Sequence, residues 1–176
     1  VMNRLMPEVS KEQLIQRQIE RTQRQLTATS DTGVIIEGLT TPQIKLANCC
    51  TPVPGDSIVG YVTKGSGIVV HAVHCTNLKQ YDKNRLLTAY WGTNMNRKYG
   101  TWLKIKGTTR NNLLTEIIQT ANSSGVSIAE VSAVTSHELE SVIKLKVTVK
   151  ERRELEVLIV NLQKVPQVYY VEREII

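Results

Sequence analysis

Within residues 142–150, apolar and polar side chains alternate strictly from Ile143 to Lys150. This two-residue period predicts a β-strand with one face in a core and the other toward solvent. Apolar residues also recur at helical spacing in 113–121, ending before Gly125, and in 152–164, ending before Pro166. Further strand-like runs lie at 101–106, 126–135 and 168–173.

The resulting order, β-α-β-β-α-β, predicts a ferredoxin-like fold with two helices on one face of an antiparallel sheet. The first and third strands are then central neighbours. The helix-free face carries four lysines and a tryptophan. This face would bind nucleic acid, be exposed to solvent or contact another subunit. The aromatic signature of RNA-recognition motifs is missing. These residues are Trp102, Lys104, Lys106, Lys144 and Lys146. We expect one core to contain Leu113, Ile117, Leu145, Val147, Leu158 and Leu162.

Residues 34–92 predict a small β-rich module with short helices. Strand-like runs lie at 34–36, 57–63 and 67–71, and the Lys64–Gly67 turn between the last two indicates a hairpin. Residues 44–50 and 76–80 are expected to form short helical turns. The whole chain is therefore predicted to be α+β.

Residues 1–33 are predicted to be a helix over 1–26 followed by a polar linker. Ser10 and Gln13 have capping-box spacing, but the apolar stripe is too thin to form a core alone. Two interpretations stay open: the end of a longer helical region, or a solvated helix that docks on the next domain.

The composition favours a cytoplasmic protein. Three cysteines, two of them adjacent, do not suit a disulfide framework. Neither a secretory signal nor a membrane-spanning apolar run is evident. The net charge of +6 suits a polyanionic partner without requiring one.

All three cysteines and two of the three histidines lie between Cys49 and Cys75. If the intervening hairpin folds back on itself, thiol and imidazole groups would meet and could bind zinc. The alternative is a metal-free cluster that packs in the core or faces RNA. A catalytic Cys/His pair is disfavoured because no orienting acid, phosphate loop or other enzyme motif is evident. The cluster comprises Cys49, Cys50, His71, His74 and Cys75.

Three motifs in this region carry a family resemblance. They are K-L-A-x-C-C-x-P-x-P-G-D at 45–56, I-x-G-Y-x-T-K-G-x-G at 58–67, and V-H at 70–71 followed by C-x-N at 75–77. Together they closely resemble the C-terminal region of long RelA/SpoT-type (p)ppGpp synthetase/hydrolases. The resemblance implies a zinc-finger or ribosome-intersubunit domain at 34–92 and an ACT domain at 93–176.

The resemblance implies a non-catalytic regulatory function. Such regions bind ribosomal RNA, sense uncharged tRNA and control the N-terminal catalytic domains of the same protein, which would be a GTP pyrophosphokinase and (p)ppGpp hydrolase. The alternative is an amino-acid-sensing ACT module that dimerises without binding nucleic acid. Neither function requires a membrane.

The family pattern implies Cys49, Cys50, His71 and Cys75 as zinc ligands and leaves His74 outside. Neighbouring side chains normally point apart, so adjacent cysteines suit a tetrahedral site poorly. The cofactor prediction therefore stays open between none and zinc, and we expect less than one equivalent of zinc.

Two further sets of site residues follow from the resemblance. The predicted RNA contacts are Lys45, Lys64, Ser66 and His71, because backbone N–H groups and a lysine beside a glycine-flanked turn can approach phosphates. The predicted amino-acid pocket of the ACT domain comprises Arg110, Asn111, Asn112 and Leu113. Asn112 replaces the family's glycine, which predicts weak binding or none.

Overall fold

The computed structural model describes residues 31–40, 42–65, 67–93, 96–136 and 139–174. The helix predicted for residues 1–26 lies outside them, as does most of the linker at 27–33. Neither α-helix in the described part of the chain is long and apolar enough to cross a membrane.

The first domain is a five-stranded sheet with two 3₁₀ helices. Its strands are β1 (Val34–Ile36), β2 (Ile44–Leu46), β3 (Ile58–Val62), β4 (Ile68–Ala72) and β5 (Leu86–Trp91), and its 3₁₀ helices are Thr76–Gln80 and Lys83–Arg85. The spatial order is β1-β5-β3-β4-β2. β3 pairs antiparallel with β4 and β5, whereas β2 pairs parallel with β4.

The prediction of a helical turn at 44–50 is wrong for residues 44–46. Residues 44–46 form β2 because Ile44 and Leu46 pack against the core of this sheet, while Lys45 is exposed on the other side. A turn follows only after the strand. The helical turn predicted at 76–80 is confirmed as a 3₁₀ helix.

The second domain has the predicted β-α-β-β-α-β order. It consists of β6 (Tyr99–Thr108), α1 (Leu113–Ser123), β7 (Ser127–Thr135), β8 (Glu140–Val149), α2 (Arg152–Gln163) and β9 (Val168–Arg173). The sheet is antiparallel in the order β7-β8-β6-β9. The predicted central pair of first and third strands is confirmed as β6 and β8.

One core lies between this sheet and the two helices. It contains all six predicted core residues, none more than 3% exposed. Lys144 and Lys146 lie on the opposite face of β8, as the alternation predicts. The strand pattern therefore identified both the buried and the helix-free face.

The two domains share a packed interface. Val53, from the loop between β2 and β3, is 0% exposed and belongs to the core of the second domain. The Arg152 N–H donates to the Pro54 carbonyl at 2.7 Å. The Trp91 indole N–H donates to the Asp56 carbonyl at 2.9 Å. The loop at 51–56 is thereby attached to both domains.

Candidate metal centre and nucleic-acid interface

A single tight turn carries the two adjacent cysteines. The Thr51 N–H donates to the Ala47 carbonyl at 2.9 Å, so residues 47–51 wind as one helical turn. Thr51 ends the turn with φ of 37°, in the left-handed region that β-branched residues rarely adopt. Such a conformation costs on the order of 1–3 kcal/mol and persists only where neighbouring contacts impose it.

β4 and the segment that follows it bring the other two candidate ligands, His71 and Cys75, to this turn. The Ala47 N–H donates to the Val70 carbonyl at 2.8 Å, which places the turn beside His71. Cys75 follows at the start of the first 3₁₀ helix. The ligand atoms of Cys49, Cys50, His71 and Cys75 all lie within 4.8 Å of one another.

Three of the six separations between these ligand atoms are close to those of a tetrahedral zinc site. Cys49 Sγ lies 3.4 Å from His71 Nδ1 and 3.6 Å from Cys75 Sγ, and Cys50 Sγ lies 3.8 Å from His71 Nδ1. Zinc bonds of about 2.3 Å to sulfur and about 2.0–2.1 Å to nitrogen place tetrahedral ligands about 3.6–3.8 Å apart. Because the helical turn directs both adjacent sulfurs to one point, the geometric objection to the Cys-Cys pair does not hold here.

Burial changes the pKa of two of these groups, Cys50 and His71. It raises the pKa of the Cys50 thiol to about 12, and it lowers the pKa of His71. At neutral pH His71 is therefore a neutral imidazole with a lone pair for a metal, and metal binding has to displace the Cys50 proton. The Ala72 N–H donates to Cys50 Sγ at 3.3 Å, an outer-shell contact that also suits a metal-bound thiolate.

The predicted RNA contacts do not converge on one spot. Lys64 is exposed at the β3–β4 hairpin tip, Lys45 is exposed on β2 opposite Val69, and Ser66 lies outside the described residues. His71 is only 2% exposed and faces the cysteines, which does not favour the predicted direct contact with RNA. It is available to a metal instead.

A tyrosine–arginine stack that the sequence analysis missed lies on the same face as Lys45. The Tyr61 and Tyr81 rings lie 4.3 Å apart, and the Arg85 guanidinium lies 5.2 Å from the Tyr61 ring centre. Tyr81 also contacts the His71 ring edge-on at 5.4 Å. The stack therefore extends from the candidate metal centre to the face that carries Lys45. The available sequence signal was the alternation of β3, which places Tyr61 on that face.

Within the described part of the chain, the cations of the first domain have no carboxylate partner. No salt bridge among the described residues includes any of them, and the stretch 57–92 contains one acidic residue, Asp82. We call this set the basic surface; it consists of Lys45, Lys64, Lys79, Lys83 and Arg85.

The helix-free face of the second sheet has the opposite character. Three of its lysines pair with glutamates at 2.6–3.1 Å, and Lys146 also lies 5.4 Å from the Trp102 ring centre. Because each of these three lysines is paired with a carboxylate, the pairs offer little net positive charge to attract a phosphate group. The pairs are Lys106–Glu140, Lys144–Glu174 and Lys146–Glu130.

The predicted amino-acid pocket is occupied by contacts within the chain. Arg110 forms two hydrogen bonds to the Glu116 carboxylate at 2.8 and 2.6 Å and a third to the Pro166 carbonyl at 3.2 Å. Leu113 is 3% exposed. Asn112 adopts the left-handed conformation, with φ of 66°, that glycine would otherwise supply.

Arg173 and Asp56 were also missed by the sequence analysis. Their side chains form an ion pair at 2.7 Å behind the cysteine turn, with exposures of 14% and 2%. They lie 117 positions apart in the chain, so no local pattern could have connected them.

The fold and the cluster together define a two-domain regulatory chain. Residues 34–92 match the RelA/SpoT RIS domain, and residues 95–173 match the ACT domain. The chain belongs to the RelA/SpoT family, as part of its C-terminal regulatory region.

Individual relatives carry related names. The chain is 30% identical over 181 residues to the bifunctional (p)ppGpp synthase/hydrolase RelA of Mycobacterium tuberculosis, covering 98% of this chain and 24% of that protein. It is 32% identical over 117 residues to a GTP pyrophosphokinase of Streptomyces coelicolor, covering 65% and 14% respectively. It thus spans about a quarter or less of these relatives.

Among solved structures, the ACT domain from GTP pyrophosphokinase of Chlorobium tepidum matches with a TM-score of 0.40 and 22% identity. The match covers 44% of this chain and 99% of that domain.

Proposed function

We propose that this chain is the ribosome-binding regulatory part of a cytoplasmic (p)ppGpp synthetase/hydrolase. It binds ribosomal RNA and uncharged tRNA and controls N-terminal catalytic domains of the same protein, and it has no catalytic activity of its own. The family membership and the names of the relatives support this proposal. The activity itself would belong to the catalytic domains.

The observation that carries the proposal is the contrast between the two charged faces. The cations of the basic surface form no salt bridge among the described residues, and a tyrosine–arginine stack lies on the same face as Lys45. Three lysines of the ACT sheet are instead paired with glutamates. Phosphate contacts supply much of the affinity for nucleic acids, and unpaired cations make them without first breaking an ion pair. The RIS domain is therefore the proposed RNA-binding surface.

We further propose that the RIS domain binds one zinc ion through Cys49, Cys50, His71 and Cys75. Zinc would stabilise the fold here, because a site with four protein ligands leaves no open position for catalysis. The support is the convergence of the four ligand atoms. A metal would also fix the turn and β4, and with them the Tyr81 ring that lies against His71.

An ACT dimerisation module without direct RNA binding is the second candidate. One observation favours its dimeric part: β7 is an edge strand in which nearly every residue is exposed, including Val131 and Val134. Exposed strand edges can pair with a second chain. Concentration-dependent dimers that do not co-sediment with ribosomes would favour this candidate.

Ribosome co-sedimentation with charge-reversal variants tests the RNA-binding surface. Lys64→Glu removes one phosphate contact, so we expect weaker binding and a slope of log affinity against log salt that shrinks by about 0.7–0.9. Lys144→Glu on the ACT sheet is the matched control and should have a smaller effect. If Lys64→Glu binds like the parent and Lys144→Glu does not bind, the ribosome contact lies on the ACT sheet.

A further inference from the structure

Arg173, in the last strand of the ACT domain, contacts the turn that carries the two adjacent cysteines. Its guanidinium donates to the Asp56 carboxylate at 2.7 Å, to the Cys50 carbonyl at 3.3 Å and to the Thr51 carbonyl. Its Nε donates to Thr101 Oγ1 at 2.9 Å. A side chain from one domain thus bonds to the backbone of a candidate metal ligand in the other.

The arrangement requires arginine in particular. Its acceptors lie in different directions around one planar group, and the guanidinium presents five N–H donors in a rigid fork. A lysine ammonium at this position could keep the ion pair with Asp56. It could not also preserve the directed bonds to the two carbonyls and to Thr101.

These contacts act on the strained residue of the turn. Thr51 has φ of 37°, and besides the bond from Arg173 to its carbonyl, its hydroxyl lies 3.0 Å from the Thr101 hydroxyl. Both contacts come from the ACT domain. They hold the backbone in the conformation that directs the sulfurs of Cys49 and Cys50 toward His71.

We propose that Arg173 is a positioning residue for the metal centre, through which the ACT domain sets the metal affinity of the RIS domain. Arg173 does not touch the metal; it acts by holding Thr51. The proposal rests on the zinc site and is independent of ribosome binding. Because such coupling is reciprocal, metal binding in turn strengthens the contact between the domains.

Zinc affinity of the 176-residue chain tests this, measured by competition with a chromophoric chelator. Arg173→Lys should weaken zinc binding about 10–100-fold, the usual effect of losing an outer-shell partner. Arg153→Lys, at an exposed position on α2, is the matched control and should bind zinc like the parent.

A glycine variant separates this role from general destabilisation. Glycine adopts positive φ without strain, so Thr51→Gly should make the turn less dependent on Arg173. We expect Arg173→Lys to cost at least several-fold less zinc affinity in the Thr51→Gly background than in the parent. Circular dichroism checks that each variant folds. If Arg173→Lys does not fold, Thr101→Val replaces it, because it removes the hydroxyl that contacts both Arg173 and Thr51.

Three outcomes overturn the proposal. They are a positioning variant that binds zinc like the parent, an equal loss in both backgrounds, and a parent that binds no zinc. The last outcome also overturns the zinc site itself. None of them bears on ribosome co-sedimentation, so failure here and failure of the RNA-binding proposal are distinguishable.

Discussion

At the scale of single residues, the backbone conformation of one threonine determines how adjacent cysteines can act together. Neighbouring side chains usually diverge, but a helical turn ending in the left-handed Thr51 directs Cys49 and Cys50 to the same histidine nitrogen. The cluster is mostly buried, and without a metal the Cys50 thiol would stay protonated because burial raises its pKa to about 12. Zinc binding at this site would therefore have to displace the Cys50 proton.

We therefore predict one equivalent of zinc per chain, in place of the smaller amount expected from the adjacency of the cysteines alone. Cys49→Ser should lower the zinc content after dialysis against a chelator, because it removes one of four ligands. Chelation should also lower the unfolding temperature, since binding free energy at such sites contributes to folding. Elemental analysis and thermal unfolding measure the two effects.

His74→Ala is the control for this experiment. His74 is exposed and outside the cluster, so its loss should leave the zinc content unchanged. Full zinc retention by Cys49→Ser would show that Cys50 ligates alone and that its neighbour only packs.

The residue types and the family resemblance could predict the four cluster residues, but not the contacts that position them. Arg173 bonds to a carbonyl 122 positions away, and its strand has no feature that distinguishes this arginine from a solvated one. The burial of His71, which disfavours its predicted RNA contact, could not be foreseen for a related reason. Its burial depends on the 3₁₀ helix and Tyr81 above it, which only the folded chain brings together.

At the scale of elements, predictions succeeded where a pattern was local. The alternation in β8 and the apolar spacing of α1 and α2 identified the ACT fold with strand and helix ends close to the observed ones. β2 and β5 were missed; β2 has only three residues, and both strands are held in the sheet by pairing with β4 and β3. Tertiary pairing often overrides such weak local preferences.

The loop between β6 and α1 should bind branched-chain amino acids weakly or not at all. Arg110 is already paired with Glu116, and Leu113 is buried in the core. Calorimetric titration with valine or isoleucine should give a dissociation constant no tighter than about 1 mM, which corresponds to about −4.1 kcal/mol.

Asn112→Gly is the matched variant for this titration. Glycine restores the family's residue in a backbone conformation that glycine adopts freely. If this variant releases more heat of binding than the parent, the asparagine side chain is the cause of the weak binding. A low-micromolar constant for the parent would show instead that the loop is a functional amino-acid site.

At the scale of the whole molecule, the two domains share a core rather than only a surface. Val53 of the RIS domain is fully buried among ACT residues, and Arg173 forms a buried ion pair in the other direction. Removing one partner of such a pair leaves an uncompensated buried charge, which typically costs about 3–5 kcal/mol. Neither contact favours independent motion of the domains.

We accordingly predict that the two domains unfold together. With zinc removed by a chelator, pulse labelling of the buried Cys50 and Cys75 thiols reports the RIS domain. Helical circular dichroism reports the ACT domain, which contains both described α-helices. The two denaturation curves should coincide, since coincident probes indicate a single cooperative transition. Val53→Ala should lower the free energy of unfolding reported by both probes by about 1–3 kcal/mol. Val73→Ala is the control, because Val73 is 55% exposed, and it should change that free energy by about 0.5 kcal/mol or less. Separate midpoints, or a Val53→Ala shift confined to one probe, would show that the domains unfold independently.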